Sequence, residues 1–284
     1  MWERRYGYPV PTRSPSGHRR FNAEHVEALT RIARLVKEGR AVGDLIGAHL
    51  AGALQPAEAA TRATGAAAQS VATLVDLLTG GDPWAAEAEF AAISEARDVA
   101  AMVCEVCEPA LIEVGERWFR GDCEIYQEHC ATGFLMRKLA GLLERAQRAN
   151  LQPLRRVLLG TVQGDRHDGG VMMLAVLLEM AGWRTLCVGV DLPVREYRKA
   201  VEGWKPDALA LSFVMSRNIN KRFQELREVR GVPIFVGGRG ILNYQGLARR
   251  YGLIPLPGSA ASGLAQLLGK FEEWKAAPPD SRET

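Results

Sequence analysis

The sequence of 284 residues contains no run of about eighteen apolar residues, so it offers no membrane-spanning helix. Its first residues, Met1-Trp2-Glu3-Arg4-Arg5-Tyr6, lack the apolar core of a secretory leader, and a cytoplasmic protein without a membrane partner is expected. Cysteine is scarce. Five residues, an odd number, with no second Cys or His pair at zinc spacing, exclude a disulfide framework and a structural zinc site. The one close pair, Cys104 and Cys107, lies in an apolar helical stretch from Val99 to Ile112 and reads as two small core side chains. With 47% hydrophobic and 24% charged residues the chain is neither fibrous nor wholly disordered. The formal net charge is only +3, yet residues 1–40 hold nine Arg or Lys against four Glu, so a basic head precedes a near-neutral body. Such a head fits an anionic partner.

Residues 1–21, rich in Arg, Pro and Gly, read as a turn-rich hairpin or wing. A helix from Ala23 to Val36 follows from Val26, Leu29, Ile32, Ala33 and Val36 at helical spacing and stops at Gly39; a second runs through Leu45 to Leu50. Residues 51–100 carry seventeen alanines, broken at Gly80-Gly81-Asp82-Pro83, and predict thin, closely packed helices. Longer helices, Asp98–Phe119 and Asp122–Gln147, separated by Arg120-Gly121, complete a helical bundle. After Asn150 the pattern changes. Apolar strands at Val157–Val162, Thr185–Val190, Ala208–Phe213, Ile234–Val236 and near Ile254 alternate with helices near Gly170–Ala181, Val194–Glu202, Asn220–Val229, Tyr244–Tyr251 and Ser259–Trp274. Continuous apolar strands alternating with helices predict a doubly wound, Rossmann-like parallel sheet covered on both faces. Its chemistry belongs in the loops after Val162, Val190, Phe213 and Val236, at the carboxyl ends of the strands.

The first of those loops reads Gln163-Gly164-Asp165-Arg166-His167-Asp168-Gly169-Gly170. An imidazole there can ligate a metal through one nitrogen while a carboxylate two residues earlier accepts a hydrogen bond from the other. The same pair also reads as a loop histidine bonded to its neighbour. No further His, Cys or carboxylate nearby completes a free-ion site, so a metal bound by His167 arrives with its other ligands supplied. The pattern Asp165-x-His167-x-x-Gly170, with Ser212 and then Gly237-Gly238 after later strands, resembles the cobalamin-binding domain of methionine synthases and carbon-skeleton mutases. The resemblance implies His167 as the lower axial cobalt ligand, Asp165 as its tuning carboxylate, and Arg166 beside them. It also implies Gly170, Ser212, Gly237 and Gly238 as the walls of a slot for the displaced nucleotide tail. Val214 stands where the family has leucine.

In the bundle, Trp118 precedes Glu128-His129 across the Arg120-Gly121 connection. A helical hairpin can converge such residues on one pocket, an aromatic face for a nucleoside and a carboxylate for ribose hydroxyls; core packing for Trp118 and a solvated Glu128 are the plainer alternatives. The spacing resembles the upper cap of CarH/LitR-type regulators, MerR-family photoreceptors dependent on adenosylcobalamin. The resemblance covers nearly the whole chain. Trp2 to Pro9 and Ser16 to Phe21 look like the end of a MerR recognition helix and its wing, so Arg4, Arg5, Arg13, Arg19 and Arg20 are candidates for phosphate contacts. The chain starts partway through that recognition helix, and an incomplete base-reading element is expected. Phe119 stands where the family has a cobalt-capturing histidine and cannot ligate; His129 or water would take that place.

The resemblance thus implies a multi-domain α and α/β chain: a partial winged helix-turn-helix over 1–52, a capping bundle over 53–148, a cobalamin-binding domain over 153–275 and a disordered tail over 276–284. The implied function is a light-responsive, non-enzymatic transcription regulator. Adenosylcobalamin would be held between bundle and sheet, with a homo-oligomer (dimer or tetramer) and a DNA operator as partners. Two alternatives stand beside it. One is a corrinoid carrier in methyl transfer, which needs no basic wing. The other is a photosensor without DNA binding, with a second, biliverdin-type chromophore in the bundle.

Overall fold

The computed structural model describes residues 12–13, 19–20, 64–215 and 218–278. The chain divides into two compact units, Met1–Arg62 and Ala63–Thr284. In the first, β1 (Thr12–Arg13) pairs antiparallel with β2 (Arg19–Arg20), Arg13 opposite Arg19, in agreement with the expected hairpin. The helices expected over Ala23–Val36 and through Leu50, together with Arg4 and Arg5, lie outside the described residues, as do residues 279–284 of the expected tail.

The second unit begins with the bundle. Helix α1 (Thr64–Gly80) turns through Gly81, at φ 84°, into α2 (Pro83–Glu95). The Asp82 carboxylate accepts from the amide of Ala85 at 3.0 Å, and Pro83 presets the first helical turn. Asp98 likewise caps α3 (Val99–Ala101), accepting from Ala101 at 2.8 Å. The backbone continues as a π-helical segment, Met102–Cys107, into α4 (Glu108–Arg120). A single α-helix over Asp98–Phe119 is the expectation from periodicity; the wide turn is the difference. It carries Met102, Val103, Val106 and Cys107, all four buried in the core. Gly121, at φ 79°, ends α4 in the left-handed conformation, and Glu124 with Gln127 forms a capping box that starts α5 (Ile125–Ala149).

The sheet has five parallel strands in the order β4-β3-β5-β6-β7. These are β3 (Arg155–Thr161), β4 (Trp183–Cys187), β5 (Ala208–Ser212), β6 (Ile234–Gly237) and β7 (Ile254–Leu256). Strand β4 starts and ends earlier than the expected Thr185–Val190. Buried Trp183 enters the ladder opposite Arg155 and packs edge-on against Phe271 at 4.8 Å, while Gly189, at φ 83°, turns the chain out of it. Between the strands run α6 (Gly169–Met180), α7 (Val194–Trp204), α8 (Ile219–Leu226) and α9 (Gln245–Arg250), and α10 (Ala260–Ala276) closes the unit. One core joins the bundle, α6 and α10 to one face of the sheet; a second lies under α7, α8 and α9 on the other. The expected helical bundle followed by a Rossmann-like parallel sheet is the observed architecture.

Candidate functional site

The carboxyl end of the sheet lies against the bundle. A Cβ on Gly169, at the start of α6, would stand 3.2 Å from Leu111 of α4 and 3.9 Å from Met136 of α5. Two further ties hold α4 across this end: Glu108 accepts from the amide of Ala260 at 2.9 Å, and Glu116 meets the Arg239 guanidinium at 3.5 Å. Burial pushes the Glu108 carboxyl up, opposed by the Ala260 amide and by Arg239. Leu111, Gly115 and Trp118 recur on one face of α4, and Met136, Thr132 and His129 on one face of α5. Both stripes lead from the Gly169 contact toward the tip of the hairpin.

Asp165 follows β3 and is fully buried, at 0% exposure. Its carboxylate accepts from His167 Nδ1 at 2.9 Å and the His167 amide at 3.2 Å, and from the amides of Val214 and Met215 at 2.6 and 3.1 Å. The last two belong to the loop after β5, so one carboxylate ties two strand-end loops together. A carboxylate accepting from Nδ1 holds the ring proton there and leaves Nε2 as the basic nitrogen of a side chain 51% exposed. The Asp165 backbone is held as well: its carbonyl accepts from Thr161 Oγ1 at 2.5 Å and from the Asp191 amide at 3.1 Å. Buried Tyr197 donates to the Thr161 carbonyl at 2.8 Å, and burial pushes its phenol up. Asp191, at φ 60°, accepts from the Gly164 amide at 2.7 Å and from Arg166 Nε at 3.3 Å, which hold its carboxyl below the usual range. Burial raises the Asp168 carboxyl, opposed by its own amide and by His167.

Beside this loop stands Ser212, the last residue of β5. It is buried, and its Oγ has no hydrogen-bond partner among the described residues. A Cβ on Gly170 would come 3.6 Å from that oxygen; one on Gly238, at φ 90°, would come 2.9 Å from it and 2.5 Å from the Phe213 carbonyl. Gly240 approaches equally closely, donating to the Phe213 carbonyl at 2.8 Å. Gly237 packs toward Leu256 instead.

The sequence-derived set therefore falls into groups. Asp165, His167, Gly170, Ser212, Val214 (through its amide) and Gly238 come together. Arg166 turns to Asp191 and is 79% exposed. On α5, Glu128 accepts from Thr132 Oγ1 at 2.8 Å and meets His129 Nδ1 at 2.7 Å. Trp118, 47% exposed, makes no hydrogen bond to that pair, and Phe119 is 82% exposed. Sequence reasoning missed Thr161, Asp191, Tyr197, Met215 and Gly240. Asp191, Met215 and Gly240 carried a signal of place, since they lie in the loops after β4, β5 and β6 already marked for chemistry; Thr161 and Tyr197 carried none.

Comparison with known proteins bears on the whole chain. A B12 binding domain model matches residues 155–254, a second B12 binding domain model residues 71–143, and the MerR HTH family regulatory protein model residues 1–47. The HTH-type transcriptional repressor CarA of Myxococcus xanthus is 32% identical over 246 residues, covering 84% of this chain and 80% of its own length. CarH of the same organism, also an HTH-type transcriptional repressor, is 30% identical over 269 residues, 88% of this chain and 86% of its own. Among solved structures, the monomethylamine corrinoid protein of Methanosarcina barkeri shares the fold, with a TM-score of 0.54 and 16% identity over 71% of this chain and 96% of that one. Relatives matched along most of both chains place the sequence plainly: it belongs to the family of HTH-type transcriptional repressors represented by CarA and CarH, a MerR-type module joined to B12-binding domains.

Proposed function

We propose that this cobalamin-binding transcription regulator is light-responsive, holds adenosylcobalamin between the carboxyl end of its sheet and its bundle, and changes oligomeric state and DNA binding on illumination. The residues present fit that group. A buried hydroxyl with no described partner, Ser212 Oγ, faces Gly170 and Gly238, where a side chain would fill the space beside it. The observation that carries the proposal is the half-exposed imidazole of His167 oriented by fully buried Asp165 at the end of the sheet that meets α4 and α5. Such an imidazole presents Nε2 as a ligand whose direction and basicity the carboxylate sets.

Bound adenosylcobalamin supplies a cobalt–carbon bond that light breaks. His167 would hold the lower face; Gly170, Ser212, Gly237 and Gly238 would line the tail slot, with Arg166 and Val214 at its rim. Trp118, Glu128 and His129 would meet the upper group from the bundle, where Phe119 offers no ligand. A change in what those three side chains touch alters the surface at the hairpin tip, and a self-associating surface converts that change into avidity. The basic hairpin, with Arg13 opposite Arg19, would carry phosphate contacts together with Arg4, Arg5 and Arg20.

The test is reconstitution of the full chain with adenosylcobalamin in the dark, followed by size-exclusion chromatography before and after illumination. A light-dependent change of assembly is expected; an unchanged oligomer overturns the light switch and leaves cobalamin binding intact. Absorbance of the same samples checks the rest. Substituting His167→Ala is expected to remove the histidine-ligated spectrum of the loaded protein, and an unaltered spectrum overturns the lower-ligand assignment. A band beyond those of the corrin would instead reveal a bilin chromophore. Methylation of the bound corrinoid by a methyltransferase would mark a carrier.

A further inference from the structure

Every strand of the sheet begins at the end remote from the cofactor site, and that end is basic. Arg155 and Arg156 open β3, Lys205 precedes β5, Arg249 and Arg250 close α9 just before β7, and Lys270 lies on α10. They form a connected band. The Arg156 guanidinium donates to the Lys205 carbonyl at 2.9 Å, and Arg155 lies over the Phe271 ring at 5.6 Å. Phe271 stacks with Trp274 at 6.4 Å, and Trp274 lines a shallow cavity with Arg249 and Lys270. Glu273 also lines that cavity, and Asp207 is engaged by the Arg156 amide at 2.7 Å.

Glu273 and Asp207 stand within the band, yet its cations outnumber them and are not drawn into ion pairs. None of its six cations forms an ion pair with another described residue, unlike Arg166 with Asp191, Arg195 with Glu196, Lys221 with Glu225 and Arg239 with Glu116 elsewhere on the unit. Helix dipoles explain why basic residues collect where helices end. They do not explain a row of six cations of which none is ion-paired with a described residue. Four of the six, Arg156, Lys205, Arg249 and Arg250, are exposed. From β3 to β7 the row crosses three strand spacings, about 14 Å, and duplex DNA offers one negative charge per about 1.7 Å of axis.

We propose that this end of the cobalamin-binding unit is a second nucleic-acid contact surface, one that meets duplex phosphates without reading bases. The inference rests on the chain being a DNA-binding regulator, and it adds to the basic hairpin a phosphate-binding surface on the opposite part of the sequence. Its consequence is that the sensory unit itself contributes to affinity and to the salt dependence of binding.

The test uses the full chain and a duplex of arbitrary sequence, with dissociation constants measured across a series of salt concentrations. Compared with the unaltered chain are the combined substitution Arg156→Gln, Arg249→Gln, Arg250→Gln, Lys270→Gln and a control, Arg195→Gln, Arg198→Gln, Lys199→Gln, Lys221→Gln, removing equal charge from paired sites. Each lost phosphate contact lowers the slope of log K against log salt by about 0.9. The first variant is expected to lose about 2 to 4 in slope and at least about tenfold in affinity at low salt, the control less than about 0.5 in slope. Arg156→Lys with Arg249→Lys and Arg250→Lys is expected to keep the slope, which separates lost charge from lost fold. Equal slopes for the unaltered chain and the Gln variant overturn this proposal alone. Failure of the unaltered chain to bind any duplex overturns it together with the regulator reading. Loss confined to phosphatidylserine vesicles, with the slope on DNA intact, assigns the band to membranes and overturns it too.

Discussion

Asp165 shows how much one buried side chain is asked to do. Four of the hydrogen bonds it accepts come from one side chain and three amides on two loops. Replacing it with asparagine turns one acceptor oxygen into a donor facing other donors. Asp165→Asn is therefore expected to lower stability by about 2 to 4 kcal/mol, read from the urea midpoint, and to weaken corrinoid binding in parallel. A change under about 0.5 kcal/mol would mean that the loops are held by something else. The glycines make a second, sharper case. Gly238→Ala forces a Cβ to within 2.5 Å of the Phe213 carbonyl at a φ of 90°, so a loss of at least about 2 kcal/mol is expected. Gly246→Ala, in a helix with nothing within 4 Å, is expected to be neutral or to stabilise by about 0.5 to 1 kcal/mol. The motif residues were legible because their chemistry is carried by residue type at short spacing. Thr161, Tyr197 and Met215 were not, because they act through backbone atoms or across 36 residues and more, as in the bond from Tyr197 to Thr161.

Among elements, the π-helical segment and the lower end of α5 show what periodicity reads and what it misses. The apolar stretch at Val99–Ile112 was legible as core helix, and so was the quiet role of its cysteines. The extra residue in the turn was not, because its cause lies in the neighbours it packs against. Burial pushes the Cys107 thiol up to about 12. A thiol raised on folding stabilises the fold fully below its unfolded value, about 8.5, and that contribution is lost as pH rises toward the folded value. The thermal midpoint is accordingly expected to hold between pH 7 and 8 and to fall by pH 10.5. At pH 8 a thiol reagent is expected to label exposed Cys130 first and to leave Cys107 unmodified until the chain unfolds. Below the sheet, buried Glu179 accepts from Asn150 Nδ2 at 2.7 Å and from the Thr185 amide and hydroxyl at 2.7 and 2.8 Å. It thereby fixes the end of the bundle to α6 and β4. No motif announces it, since a glutamate in an apolar helix looks like a solvated one until its partners arrive from two other elements.

At the scale of the molecule, the strand and helix pattern gave away a bundle followed by a parallel sheet, but not how far the two act as one body. Residues Ala63–Thr284 form a single compact unit, and one hydrophobic core runs through α1 to α6 and α10. Polar ties flank that core at both ends of the sheet, with Glu108 and Glu116 above and Asn150 with Glu179 below. Bundle and one face of the sheet thus share the packing that would have to break for either to open. A ligand seated between bundle and sheet would therefore stabilise both together, by about 2.7 kcal/mol at a free concentration one hundred times its dissociation constant. Hydrogen exchange in the dark, with and without adenosylcobalamin, reads this directly. Amides of α4 and α5 and amides of β3 and β5 are expected to slow together on loading, by about one hundredfold if exchange needs the whole unit to open. Slowing confined to the strands, with the bundle exchanging as before, would show that the two parts open separately. The bundle would then be a cover resting on the cofactor domain, and an event at Trp118 would have no rigid path to the His167 loop.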